Sequence, residues 1–330
     1  MTGTDFADAS CYHAAFAVLL TSMDESADPV AMLGANASTG ARLDTDGLLV
    51  FDDPLEVLSL VLVRAERPLA RHRVDGAPTW ATAERALAAG RPVAAAADPF
   101  HLRYFWPAYG QSHDLHTVVL RDLDVATDTV RLLDAGEEVF FDGRVPLAEV
   151  RAAMYGEDRG QSWVEAAWNP QAPTTRSASP SNSALPRIVA ELTGATGRWL
   201  SGRGLVEALT ERLDDYLRAV RDRPRPQSVG PAPELGRSLP LGLLWYHHTL
   251  RWLARWLAMP GRPRIAAQTV ERAARDLVVA NGLMMRLGVL DPNSPRAAAF
   301  RRELDSRLAS VAHDVTTTGN ELASRTGAAA

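Results

Sequence analysis

Between residues 169 and 186 the chain changes character, and that break limits what the whole can fold into. The stretch NPQAPTTRSASPSNSALP clusters Pro, Ser, Thr and Asn with no apolar period, which is the composition of a linker. Before it, short β-branched or aliphatic runs alternate with short helical patterns. After it, apolar periodicity predicts helices over 188–199, 205–220, 241–257, 265–287 and 297–313, parted by Pro- and Gly-rich breaks at 223–233 and 260–263. The expectation is an α+β domain over 1–168, a linker over 169–186 and an all-α region over 187–330, with a frayed tail from Thr316. At 330 residues both parts have room for a core.

The apolar fraction of 46% and the charged fraction of 23% are those of a globular protein. The formal charge is -5, without long blocks of either sign, so neither a nucleic-acid nor a membrane partner is expected. No apolar run approaches the roughly 20 residues needed to span a bilayer, and no secretory signal is visible. A single cysteine excludes an internal disulfide and a multi-cysteine zinc site, so a cytoplasmic location is expected.

Within the first part, strands are predicted over 47–51, 71–74, 93–97 and 163–168, and helices over 54–65, 79–89 and 147–154. The clearest pair is TVVL from Thr117 and TVRLL from Thr129, joined by an aspartate-rich turn. His116 opens the first of these strands and Asp134 closes the second. An antiparallel hairpin puts both at the same end of the ladder, so imidazole and carboxylate can meet. Cys11 stands just before the apolar run 14–20, where a helix N-terminus and a nearby imidazolium would activate a thiol. Alone, Cys11 reads first as a small buried hydrophobe. With the other two, it forms a candidate triad of Cys11, His116 and Asp134.

The loop over 100–112 is dense in aromatic rings. Tyr104, Trp106 and Tyr109, together with His113, are candidate substrate-binding residues on a lip beside the triad; covering a sheet edge is the alternative. His113 and His116 form an HxxH, but on a loop rather than a helix face and without HExxH, so no metal site is expected. His13 points away from Cys11 on the same helix and reads as structural. The adjacent His247 and His248 point about 100° apart. Neither a phosphate-cradling glycine loop nor GxSxG is present.

The order of cysteine at a helix start, histidine at a strand start and aspartate at the next strand end resembles papain-like cysteine enzymes. More narrowly, DPFHLRY from Asp98, then Tyr109, His113 and His116 ahead of TVVLRDLD and VRLLD, is similar to the butirosin biosynthesis protein H family. The run WLSGRGLVEALTERL from Trp199 resembles the helical C-terminal part of that family. The likeness is strongest over 9–20 and 98–135. It implies a papain-like domain followed by a helical region, and an acyltransferase with no cofactor of its own. The acyl group would arrive as a phosphopantetheine thioester on an acyl carrier protein, pass through Cys11 and leave on a small amine acceptor, in antibiotic or other specialised-metabolite biosynthesis. His116 would be the general base and Asp134 the orienting carboxylate. A homodimer stays open, as do a hydrolase with the same triad and a non-catalytic binding relative.

One departure from the papain-like pattern is visible. Where those enzymes usually hold a glutamine that stabilises the oxyanion, this chain has Asp5 and Asp8. The oxyanion hole would then rest on the backbone N–H of Cys11 and a second donor, Ser10 or Gln111.

Overall fold

A computed structural model describes residues 10–23, 28–35, 38, 41–43, 49–51, 57, 70–74, 79–106, 108–112, 116–135, 140–154, 161–165, 184–194, 200–222 and 239–326. The fold is α+β and divides into two compact units. One unit takes residues 1–29, 58–178 and 228–235; the other takes 30–57, 179–227 and 236–330.

The first unit is built on a six-stranded antiparallel sheet in the order β3-β8-β4-β5-β6-β7. Its strands are β3 (Ala70–Val74), β4 (Val93–Ala97), β5 (His116–Asp124), β6 (Thr129–Ala135), β7 (Phe140–Pro146) and β8 (Gln161–Glu165). The strand expected over 93–97 is a central one: β4 is VAAAA, buried at every position, and lies between β8 and β5. Its small side chains let neighbours on both faces come close. One face carries Val93, Ala95, Val118, Leu120, Val130 and Leu132 in a single apolar cluster. Helices α2 (Thr79–Ala88) and α3 (Leu147–Met154) close over that cluster with Ala83, Leu87, Val150 and Met154. The alternate residues Ala94, Val119 and Leu133 are buried too, so the sheet is covered on both sides. Helix α1 (Cys11–Met23) packs on β4, β5 and β6 through a fully buried apolar run.

The β5–β6 hairpin forms as its sequence suggests. At the turn, Asp124 Oδ1 accepts from the N–H groups of Ala126 and Thr127 at 3.0 and 3.2 Å, the local bonding that makes aspartate a turn former. Arg121 and Arg131 are cross-strand partners and would repel. Asp142 on β7 offsets this, accepting from Arg131 Nε and Nη2 at 2.7 and 2.9 Å. Of the strand expected over 163–168, residues 163–165 belong to β8, which begins at Gln161 and lies between β3 and β4, and 166–168 lie outside the described residues.

The second unit contains α4 (Leu185–Thr193), α5 (Gly202–Asp222), α6 (Leu239–Leu257), α7 (Arg264–Leu287) and α8 (Pro295–Thr326). It is not purely helical. A small ladder of β1 (Ala41–Leu43) and β2 (Leu49–Phe51) belongs to it, with Ala41, Leu49 and Phe51 inside the helical core. The sequence expectation placed these residues with the sheet domain. Their assignment follows from long-range packing: a turn of π-helix over Val30–Gly34 lies against α6 so closely that a Cβ on Gly34 would meet the Trp252 backbone. The tail expected to fray from Thr316 is instead helical to Thr326. Thr318, Leu322 and Ala323 are buried, and Gly319 lets α8 approach α4, where a Cβ would stand 2.9 Å from Thr193 Cγ2. Of the helix expected over 54–65 only Val57, helical and buried, is among the described residues. No helix among the described residues is long and apolar enough to cross a membrane.

Candidate active site at the end of the hairpin

Ser10 caps α1. Its carbonyl accepts from the N–H of Ala14 at 2.9 Å, and its Oγ accepts from the N–H of His13 at 3.4 Å, the bonding expected of an N-cap serine. His13 is buried with Nδ1 2.8 Å from Ser10 Oγ, so it acts in the cap, as its structural reading proposed. Cys11 is therefore the first helical residue. Its N–H has no intrahelical acceptor, and the positive end of the helix dipole lies at its side chain. The thiol is partly exposed and unpaired with any other sulfur.

His116 and Asp134 meet as the hairpin geometry requires. His116 Nε2 donates to Asp134 Oδ2 at 2.7 Å, and the ring's remaining nitrogen is Nδ1. Cys11 is close enough to the same ring to act on its charge, so sulfur, imidazole and carboxylate lie together. Asp134 is 1% exposed and the His116 side chain 12%. Burial opposes charge on His116, but the Cys11 sulfur and the Asp134 carboxylate outweigh it. Together they push its pKa up to about 10, so the ring is protonated at neutral pH.

Tyr104 has a different place from the one expected. Its hydroxyl donates to Asp134 Oδ2 at 3.0 Å, and its ring stacks on Phe141 with centroids 4.2 Å apart. Burial, then the Asp134 carboxylate, raises its pKa far above the ordinary value, so the phenol stays a donor. It therefore supports the carboxylate rather than lining the substrate lip. Phe105 meets His116 edge-on at 4.7 Å and fixes the ring plane. Both aromatics are held by the first turn after β4. There Asp98 Oδ1 accepts from the N–H of Phe100 at 3.0 Å, and the N–H of Asp98 donates to the Ala153 carbonyl at 2.8 Å. Sequence reasoning saw the aromatic density of this loop but not its direction. The signal was Asp98-Pro99, a cap followed by a proline, which starts a 3-10 turn and aims the following residues back at β5 and β6.

Trp106 and Tyr109 are 74% and 41% exposed on the same loop, and Gln111 is exposed beyond them. His113, Asp5 and Asp8 lie outside the described residues. Among the described residues no group of three His, Cys, Asp or Glu side chains is arranged to hold a metal ion. His247 is buried, and its Nδ1 donates to the Ala274 carbonyl at 2.8 Å. No protein-family model and no curated protein matches this chain.

Proposed function

We propose that this protein is a cysteine-dependent acyltransferase with a papain-like catalytic unit, which moves an acyl group from a carrier-protein thioester through Cys11 to an amine in cytoplasmic specialised metabolism. The observation that carries the nucleophilic part is the bonded His116–Asp134 pair together with Cys11, a helix N-terminal thiol that acts on the same imidazole. The thioester donor and amine acceptor are supported by the sequence resemblance over 9–20 and 98–135.

The chemistry suits the groups. Sulfur attacks the thioester carbonyl, the tetrahedral oxyanion collapses, and the donor thiol leaves with a proton from the protonated His116. Exchange of one thioester for another is close to isoenergetic, so no external energy source enters. The now neutral imidazole then takes a proton from the attacking amine as the amide forms and Cys11 leaves as thiolate, which restores the starting pair of thiolate and protonated His116. Asp134 holds the ring so that Nδ1 stays aimed at sulfur and acceptor. The backbone N–H of Cys11 is one donor to the oxyanion. Ser10 Oγ is engaged with His13, which leaves Gln111 as the expected second donor. Trp106 and Tyr109 offer exposed rings for the acyl chain or the acceptor.

The test uses an acyl N-acetylcysteamine thioester as donor. Intact-mass measurement should show one acyl adduct on the wild type and none on Cys11→Ala, and added amine should discharge the adduct as amide. Equal labelling of wild type and Cys11→Ala would end the covalent mechanism. Discharge to free acid with every amine tried would turn the reading to a hydrolase.

A further inference from the structure

Outer faces of the helical unit differ in chemistry. On α5 and α8 many of the exposed charges are paired: Arg203 with Glu207, Arg301 with Asp305 and Asp214, Arg307 with Glu303, Arg325 with Glu321. That is the ordinary pattern of a solvated helix. Helix α7 departs from it after Glu271. Arg275, Val278, Val279, Gly282, Met285 and Arg286 fall within an arc of about 120°, at ~100° per residue, and every one is exposed. Val289 follows in the closing turn, 73% exposed, and Met285 is 59% exposed. The one carboxylate on this arc is Glu271, one turn before Arg275, and it is paired with Arg251 at 3.8 Å.

Among the described residues neither Arg275 nor Arg286 has an ion-pair partner. Arg286 lies over the Phe300 ring at 5.8 Å, and Arg296 covers the same ring at 5.4 Å, so the C-terminal end of the face is basic as well. Gly282, at the middle, has open space where a Cβ would stand, which allows a second backbone to come close. The opposite side of α7 is fully engaged in the core through Ala273, Leu277, Ala280, Met284 and Leu287. A helix apolar on both sides has a second partner to meet.

We propose that this face of α7 docks an amphipathic helix of a partner protein whose apolar stripe is bordered by carboxylates. Charge complementarity selects that occupant. A second copy of this chain, pairing two-fold on the same face, would bring Arg275, Arg286 and their copies together with only Glu271, already held by Arg251, to offset them. A bilayer is disfavoured because the arc carries no Trp, Phe, Leu or Lys and the chain bears a net charge of -5. The inference is independent of the chemistry at Cys11.

The probes are two labelled 18-residue helical peptides with the same leucine stripe, one flanked by Glu and one by Lys, titrated against the full chain by fluorescence anisotropy. The Glu peptide should bind at least tenfold more tightly than the Lys peptide, and weaken as NaCl rises from 50 to 500 mM. Arg275→Glu with Arg286→Glu should reverse the preference, and Met285→Glu should weaken the Glu peptide about tenfold, all with unchanged thermal unfolding. Four results would overturn the proposal: no binding of either peptide, equal binding of both, a wild-type dimer in sedimentation that Val279→Glu dissolves, or binding to phosphatidylglycerol vesicles that the double variant abolishes.

Discussion

Both units bury carboxylates, and Asp314 and Asp276 in one are held by a different kind of partner from Asp134 in the other. In the helical unit Asp314 accepts from Arg272 Nε and Nη2 at 2.7 and 2.6 Å, and Asp276 accepts from Arg307 Nη1 and Ser310 Oγ at 2.7 Å each. Arginine keeps its charge at any relevant pH and grips a carboxylate with a planar fork. Such a pair ties α7 to α8 and does nothing else. In the sheet unit Asp134 accepts from an imidazole and a phenol, and the imidazole also reaches a sulfur. A buried carboxylate becomes a fastener when its partner is a permanent cation, and part of a proton-handling device when its partner titrates.

The largest effect that sharpens this contrast is expected at Asp134. Asp134→Asn keeps the shape but leaves an amide where the imidazole expects a full negative charge; loss of the corresponding carboxylate in a serine enzyme costs about 10⁴-fold. Turnover of the model thioester should fall by roughly 10³ to 10⁴-fold. Asp314→Asn should do the reverse: acylation of Cys11 unchanged, and stability lower by about 2 kcal/mol in urea unfolding, since two charge-assisted bonds are weakened while the Arg272 side remains solvated. If both substitutions chiefly destabilise and neither changes the rate beyond that, the division between fastener and device is wrong.

A pH series separates the two kinds of pair again. His116 holds its proton to about 10 in the fold, above its ordinary value of about 6.5. Its stabilising contribution is therefore complete below pH 6.5 and is lost as pH rises through 10. The stability difference between wild type and His116→Gln should shrink between pH 8 and 10.5. The difference between wild type and Asp314→Asn should stay level, because the guanidinium does not titrate there. A level difference for His116→Gln would mean that Cys11 and Asp134 do not hold the proton on the ring.

Residues that announce themselves by rarity or period were readable from the chain. One cysteine in 330 residues, a histidine and an aspartate bracketing two alternating runs, and the Ala-rich β4 between turn signals all led to the right elements, because local propensity and chemistry agreed there. What escaped depends on contacts far apart in sequence. β8 enters the sheet between β3 and β4, although nothing in QSWVE specifies its neighbours. Residues 30–57 belong with the helices because Phe51 and Ala41 find their apolar surroundings there. The end of α8 contains three successive threonines and a glycine, poor helix formers, and is kept helical by burial against α4. Tyr104 looked like a lip residue because its loop is aromatic, and only the 3-10 turn set by Asp98 directs it at Asp134.

Tyr104 gives the smallest and most discriminating of these effects. Tyr104→Phe keeps the stack on Phe141 and removes one of two donors to Asp134 Oδ2. A lost hydrogen bond to a charged acceptor is worth about 1.5 to 3 kcal/mol in stability, while the rate should fall only about three- to tenfold, because His116 keeps its own bond. The sign of a third readout is fixed. With the phenol gone, more of the carboxylate's charge acts on the imidazolium, so the His116 titration seen by its ring protons in NMR should move upward from about 10. Tyr104→Ala would obscure this by opening a cavity beside Phe141. A His116 midpoint that stays in place in Tyr104→Phe would reduce Tyr104 to a packing residue, and the hydrogen-bonded series would end at Asp134.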